Sequence, residues 1–155
     1  MPDQVIVEKV VAAPPDVVWS LVSDVTRMAE WSPETASCEW LGGATGPVVG
    51  ARFRGRNQHG GKRWSTVSTV TVAEPGQALA FEVKAGPLKV ARWAYDIEPV
   101  DGGCRVTETW TDQRGRLVAA LGKPTSGVGD RAAHNRATMT ETLERLAAAA
   151  EAPTA

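Results

Sequence analysis

A glutamate in the last predicted strand is the strongest candidate for acid–base chemistry. The segment CRVTETWTD alternates as a strand does, and one of its faces carries Cys104, Val106, Glu108 and Trp110. If that face is buried, the pKa of the Glu108 carboxyl rises, and such a group can donate or remove protons. A structural role stays open, because Glu108 can also pair with an arginine such as Arg92, lie at a wet rim or be turned outward by a bulge.

Two amides and one tyrosine form a second set of candidate polar groups. Asn57 alternates with arginines in its predicted strand, and Tyr95 shares a strand face with Trp93. Asn135 lies on the same side of the predicted terminal helix as Met139. All three can hydrogen-bond a carbonyl or hydroxyl of a ligand. The alternative is that the amides bond to backbone or water and that the tyrosine packs its ring and bonds locally.

The aromatic content is unusual, because the chain has six tryptophans but only one tyrosine and two phenylalanines. Alternation turns Trp64, Trp93 and Trp110 toward the predicted interior, where they are candidate pocket walls, while the other three are expected to pack around the short helices. It stays open that all six simply fill the core. The residues predicted to contact a ligand are Phe53, Asn57, Trp64, Phe81, Trp93, Tyr95, Val106, Trp110, Asn135, Met139 and Leu143.

Spacing along the chain predicts no metal site and no cofactor. Neither His59 nor His134 has a second ligand at a standard spacing, and Cys38 and Cys104 match no metal motif. We expect both cysteines to be reduced structural thiols, with a disulfide as the alternative. The glycine-rich segment GGATGPVVG lacks the Lys-Ser or Lys-Thr of a phosphate loop, and no G-x-S-x-G nucleophile motif occurs.

Composition and charge narrow the classes of partner. The chain has 155 residues and a formal net charge of -1, which gives no general electrostatic reason to bind nucleic acid or an anionic membrane. No apolar run approaches the length of a membrane span, and the N-terminus shows no secretory signal pattern. We therefore expect a cytoplasmic protein, either a monomer or a homodimer, that does not bind nucleic acid or span a membrane.

The predicted elements follow one another in a simple order. A strand over residues 4–12 precedes a helix from about Pro15 to Ser23, and Asp24 is a candidate N-cap for a second short helix. Six further strands joined by short turns follow, then a helix from Asp130 to about Ala150. Strands joined by short turns are antiparallel. The pattern predicts an α+β fold with a seven-stranded curved antiparallel sheet wrapped around the C-terminal helix.

The terminal helix is the only long amphipathic element. Its apolar stripe recurs at helical spacing and contains Ala132, Met139, Leu143, Leu146 and Ala150. The connection before it contains RLVAALG, a candidate short helix, and a glycine-rich hinge over Gly127–Gly129 that would let the helix move. The arginines of the third and fourth strands are expected on the solvent side: Arg52, Arg54, Arg56 and Arg63.

Several segments, in this order, resemble one family across residues 4–150. They are Ala13–Trp19, Asp24–Pro33, Gly50–Phe53, Glu98–Gly103 and Thr142–Leu146. The chain resembles the helix-grip fold of the START-like (SRPBCC) superfamily, and most of all its bacterial polyketide cyclase/dehydratase family. The resemblance implies a single domain over residues 1–155, with 151–155 as a flexible tail. It also implies a cavity between the sheet and the terminal helix that suits a hydrophobic small molecule.

Three functions remain open at this point. The first is binding of a polyketide, lipid or aromatic metabolite in that cavity. The second is a polyketide cyclase or dehydratase in which Glu108, Asn57 or Tyr95 moves protons. The third is a regulatory or interaction protein whose core is filled. A fold of this kind carries function poorly, so the inward-facing residues must decide.

Overall fold

The computed structural model describes residues 3–115 and 130–152. Seven antiparallel strands form one sheet in the order β1-β7-β6-β5-β4-β3-β2. The strands are β1 (Gln4–Val11), β2 (Thr35–Trp40), β3 (Arg52–His59), β4 (Lys62–Glu74), β5 (Ala78–Ala85), β6 (Leu88–Val100) and β7 (Gly103–Asp112). Every strand from β2 to β7 pairs with its chain neighbour, as short turns require, and β1 closes the far edge against β7.

The helices begin where the sequence places their caps. Helix α1 (Pro15–Val22) has proline in its first turn, and a short 3-10 helix (Val25–Glu30) follows it. The Asp24 side chain accepts a hydrogen bond from the Thr26 backbone N–H at 3.2 Å. Helix α2 (Arg131–Glu151) starts in the same way, because Asp130 accepts from the Ala133 N–H at 3.1 Å. The predicted α+β class, the strand count and the helix order are confirmed.

The C-terminal half of α2 packs into a closed core. Its buried apolar residues there are Leu143, Leu146, Ala147 and Ala150. They belong to the same apolar cluster as the buried face of α1, which carries Val18, Leu21 and Val22. Helix α1 therefore covers one end of the space between α2 and the sheet, and apolar burial there supplies much of the stability of the fold.

The last turn of α2 corrects one predicted boundary. Glu151 was expected to start the flexible tail, but it is helical, and its Oε2 accepts a hydrogen bond from the Ala12 backbone N–H at 2.8 Å. The predicted helix RLVAALG, the hinge Gly127–Gly129 and residues 153–155 lie outside the described residues.

The arginine row lies on the outer face of the sheet, as predicted. Arg52, Arg56 and Arg63 are exposed, and Arg54 is half-buried. Glu39 on β2 pairs with Arg56 at 3.1 Å and with Arg54 at 3.7 Å. These are surface ion pairs, which contribute little to stability. No helix within residues 3–115 or 130–152 is long and apolar enough to cross a membrane.

Gly103 at the start of β7 is a sensitive point of the sheet. A Cβ there would meet the carbonyl oxygen of Val11 on β1 far inside van der Waals contact. We expect Gly103→Ala to lower the free energy of unfolding by at least about 2 kcal/mol, because backbone must move to relieve the clash. Urea unfolding followed by tryptophan fluorescence measures the loss.

Gly61→Ala is the matched control for this change. Gly61 lies in the turn between β3 and β4, and a Cβ there meets nothing within 4 Å. We expect its free energy of unfolding to stay within about 0.5 kcal/mol of the parent protein. Equal effects of the two substitutions would contradict the steric explanation.

Candidate functional site

A cavity of about 340 Å³ lies between the inner face of the sheet and the N-terminal half of α2. From the helix, Arg131, Asn135, Thr138, Met139 and Thr142 line it. The remaining lining comes mainly from the inner faces of β3 to β7. Helix α1 packs against the other half of α2, and the described residues leave the space at this end unfilled.

Aromatic rings make up much of the cavity wall. Phe53, Trp64, Phe81, Trp93 and Trp110 all line it. The rings of Phe53 and Phe81 meet edge to face, with centroids 5.1 Å apart. Trp19, Trp31 and Trp40 are not among the residues that line the cavity: Trp31 is buried in the apolar core cluster, and Trp19 and Trp40 pack against it. Alternation along the strands therefore predicts which tryptophans line the cavity.

Most of the predicted site residues converge on this cavity. The lining includes Phe53, Asn57, Trp64, Phe81, Trp93, Tyr95, Glu108, Trp110, Asn135 and Met139. Val106 and Leu143 are buried but belong to the core cluster, outside the residues that line the cavity. Both share a face with lining residues. Val106 and Leu143 lie farther along β7 and α2, where packed side chains fill the space between sheet and helix.

Glu108 and Tyr95 form a buried pair in the cavity wall. They stand directly opposite each other in the β6–β7 ladder, which keeps one continuous register from Gly103 to Asp112. The Tyr95 hydroxyl donates a hydrogen bond to Oε2 of Glu108 at 2.8 Å. The hydrogen-bond partner of Glu108 is therefore Tyr95 and not Arg92, the partner that the sequence suggested. No bulge interrupts the strand pairing at Glu108.

Burial controls the protonation of this pair. Glu108 is 2% exposed. Desolvation raises the pKa of its carboxyl from 4.5 to about 8, against the opposing effect of the Tyr95 hydrogen bond. Burial and the adjacent carboxylate also raise the pKa of Tyr95 well above its usual range. Within the described part of the chain, Oε1 of Glu108 is buried and accepts no hydrogen bond, and the residue itself lines the cavity.

The two amides are held by neighbouring side chains. Asn57 donates through Nδ2 to the Thr66 hydroxyl at 3.3 Å, across the β3–β4 pair. Asn135, which is 3% exposed, accepts through Oδ1 from Arg131 Nη1 at 3.4 Å. Both amides still line the cavity. Their partners are side chains, whereas the structural alternative was bonding to backbone or water.

A polar rim is the part of the site that the sequence did not indicate. Arg131 bonds Glu34 at 2.8 Å and lies 5.9 Å above the ring of Trp64. The Arg114 guanidinium donates two hydrogen bonds to the Asp112 carboxylate, each 2.9 Å long. The arginines and Glu34 all line the cavity. The sequence offered a signal for Arg131, because it precedes Asn135 by one helical turn and so lies on the same face of the helix. No sequence pattern pointed to Glu34 or Arg114.

Glu34 also takes part in a second cluster beside the rim. His134 Nε2 lies 2.6 Å from Oε2 of Glu34, and the rings of His134 and His59 are 4.7 Å apart. These three residues come from the loop before β2, the end of β3 and the first turn of α2. Sequence motifs for metal sites describe ligands at fixed spacings within one segment. They could not reveal a cluster whose three residues come from distant segments.

The chain belongs to the family described as "Polyketide cyclase / dehydrase and lipid transport", which matches residues 3–151. It is similar to the "Putative polyketide cyclase" of Streptomyces cyaneus, with 33% identity over 105 residues, 67% of this chain and 67% of that protein. The resemblance inferred from the sequence is thereby confirmed.

Two solved structures extend the comparison. The "Polyketide_cyc-like protein Cgl2372" of Corynebacterium glutamicum is 33% identical with a TM-score of 0.58, over 97% of this chain and 91% of that one. The "di-domain ARO/CYC StfQ from the steffimycin biosynthetic pathway" has a TM-score of 0.76 at 17% identity, over 97% of this chain. This chain spans 51% of that protein, and at such identity the likeness shows the fold alone.

The raised pKa of Glu108 predicts a specific dependence of stability on pH. Between pH 4.5 and about 8 the folded protein holds a proton on Glu108 that the unfolded chain releases. The free energy of unfolding should therefore fall across this window and level off above it. The full shift corresponds to roughly 5 kcal/mol, and Glu108→Gln should remove this component.

Urea unfolding at a series of pH values measures this effect as the difference between parent and variant. Glu98→Gln, at an exposed glutamate on the neighbouring strand β6, is the control and should leave the pH profile unchanged. A difference between parent and Glu108→Gln that does not vary with pH would show that the carboxyl is ordinary.

Proposed function

We propose that the protein binds a hydrophobic small molecule, of polyketide, lipid or aromatic type, in the cavity between the sheet and α2. The observation that carries this proposal is the cavity itself, about 340 Å³ in volume and walled by six aromatic rings. Small-molecule sites are typically concave, mostly apolar and supplied with a few polar groups that orient the ligand. A filled core, which the interaction-protein alternative requires, is difficult to reconcile with this space.

The wall favours a flat ligand with oxygen groups. Trp64 and Trp93 are half-buried, so a ligand that covers them removes apolar surface from water, at about 25 cal/mol for each Å². Glu108 and Asn57 offer donors and acceptors within the apolar wall. A fused ring system or a folded chain bearing ketones and hydroxyls fits this arrangement better than a plain hydrocarbon.

The polar groups also suggest an orientation. Glu108 is almost fully buried, while the side chains of Glu34 and Arg131 are 20% and 14% exposed. A hydroxyl or keto group would therefore meet Glu108 in the interior, and the more polar end of the ligand would lie near the rim. Arg131 stacks over Trp64 at this rim, which suits an oxygen-rich or anionic end.

A cyclase or dehydratase activity is the second candidate, and the Glu108–Tyr95 pair favours it. A carboxyl with a pKa of about 8 is mostly protonated near neutral pH and can still act as a base. As a base it would remove the proton next to a ketone, and as an acid it would protonate a hydroxyl that leaves as water. Tyr95 would hold the carboxyl in place through its 2.8 Å hydrogen bond.

Blocking the cavity should abolish binding. Thr138 lines the cavity, and Thr138→Phe places a ring in it, whereas the exposed Thr140 lies on the outer side of the same helix. Both hydroxyls donate a hydrogen bond to a carbonyl of the same helix, so Thr140→Phe is a matched control. We expect 1,8-dihydroxyanthraquinone to quench tryptophan fluorescence of the parent and Thr140→Phe, with affinity at least about tenfold weaker in Thr138→Phe.

Native mass spectrometry of the protein purified from its own host gives an independent measurement. A co-purifying small molecule present in the parent protein and absent from Thr138→Phe would support the cavity as its site. Equal quenching in all three proteins, together with no co-purifying molecule, would contradict the proposal.

Turnover separates the carrier from the enzyme. With a poly-β-ketone thioester as substrate, Glu108→Gln should lower kcat at least about a hundredfold if Glu108 transfers protons, while anthraquinone binding stays within about threefold of the parent. Product formation followed by liquid chromatography and mass spectrometry measures this. Turnover that survives in Glu108→Gln would remove Glu108 from the chemistry, and no turnover in the parent leaves the carrier function.

A further inference from the structure

The chain contains only two histidines, and the fold brings them together. His59 ends β3 and His134 lies in the first turn of α2. Their ring centroids are 4.7 Å apart, at an angle of 73°. This pair plays no part in the cavity chemistry described above, since neither ring lines the large cavity.

A carboxylate completes the group. Glu34 approaches from the loop before β2, and its Oε2 lies 2.6 Å from Nε2 of His134. One ligand atom from each of Glu34, His59 and His134 lies within 4.8 Å of the other two. A tetrahedral ion bound at about 2.1 Å needs ligand atoms about 3.4 Å apart, so the widest pair has to close by about 1.4 Å at most. Nε2 of His134 and Oε2 of Glu34, now 2.6 Å apart, have to separate by about 0.8 Å if both bind the ion.

The carboxylate is oriented from its other side. Arg131 Nη1 lies 2.8 Å from Oε1 and 2.9 Å from Oε2 of Glu34. A carboxylate offers about four lone-pair positions, so it can accept from the arginine and bind an ion at once. Partners of this kind fix the direction of a metal-binding carboxylate in known sites. Arg131 is therefore a positioning residue for Glu34.

We propose that Glu34, His59 and His134 bind a first-row transition-metal dication, with Zn²⁺ as the ion of choice. Two imidazole nitrogens and one carboxylate oxygen form a donor set suited to zinc, whereas Ca²⁺ and Mg²⁺ prefer oxygen ligands throughout. The three residues border a second pocket of about 280 Å³ beside the large cavity. This space leaves a fourth coordination position for water or another small ligand.

The ion would lie next to the rim of the large cavity. Glu34 and Thr138 line both spaces, so the two sites share a wall. An ion there would link the end of β3 to the first turn of α2. A ligand that binds the folded protein but not the unfolded chain stabilises the fold. The proposal stands independently of what the large cavity binds.

Zinc titration of the tag-free protein tests the site, because a histidine tag would itself bind zinc. Competition with a chromogenic chelator should give one Zn²⁺ per chain with a dissociation constant in the micromolar range or tighter. We expect His59→Gln and His134→Gln each to weaken binding at least about tenfold, since each removes one of three ligands. Circular dichroism checks that both variants fold.

Two controls make the result specific. Gln58→Ala changes a neighbour that borders the same pocket but is outside the proposed ligand set, and Cys38→Ser removes the half-buried thiol. Both should bind zinc as the parent does. Loss of binding in Cys38→Ser, parent-like binding in both histidine variants, or no uptake of one ion per chain would each overturn the proposal. The cluster would then be only an ion pair and ring contact between helix and sheet.

Discussion

The structure depends on one constraint: a single long helix has to cover the inner face of a seven-stranded sheet. The C-terminal half of α2 does so with large apolar residues, Leu143 and Leu146, against the sheet and α1. The N-terminal half presents Asn135, Thr138 and Met139 to the cavity. Because interiors elsewhere are close-packed, the space left under this half is a property of the fold and of these side chains together.

The Glu108–Tyr95 pair is the costliest feature of this wall. Burying a carboxyl is unfavourable unless it is neutral or well paired, and an unsatisfied buried oxygen costs about 1–3 kcal/mol. Here one oxygen is satisfied by Tyr95, the other has no partner among the described residues, and the pKa rises accordingly. Buried groups that break the usual rules of core packing are found mainly at functional sites. Glu108 is such a group, and it lines the cavity.

Charge is concentrated where α2 begins. Glu34 contacts Arg131 and His134 and borders both the large cavity and the smaller pocket. A ligand at the rim and an ion at the histidine cluster would therefore both act on the same carboxylate.

The fold class and the inward strand faces could be predicted from the sequence alone, because alternation, turn residues and helix caps are local signals that survive in the structure. The sequence could indicate that Glu108 faces inward but not that Tyr95 lies opposite, because alternation gives the face and only strand register gives the partner. It placed Val106 and Leu143 on the correct faces, but depth along an element decided that they join the core. The meeting of Glu34, His59 and His134 required three distant segments to pack together, and only tertiary structure decides such contacts.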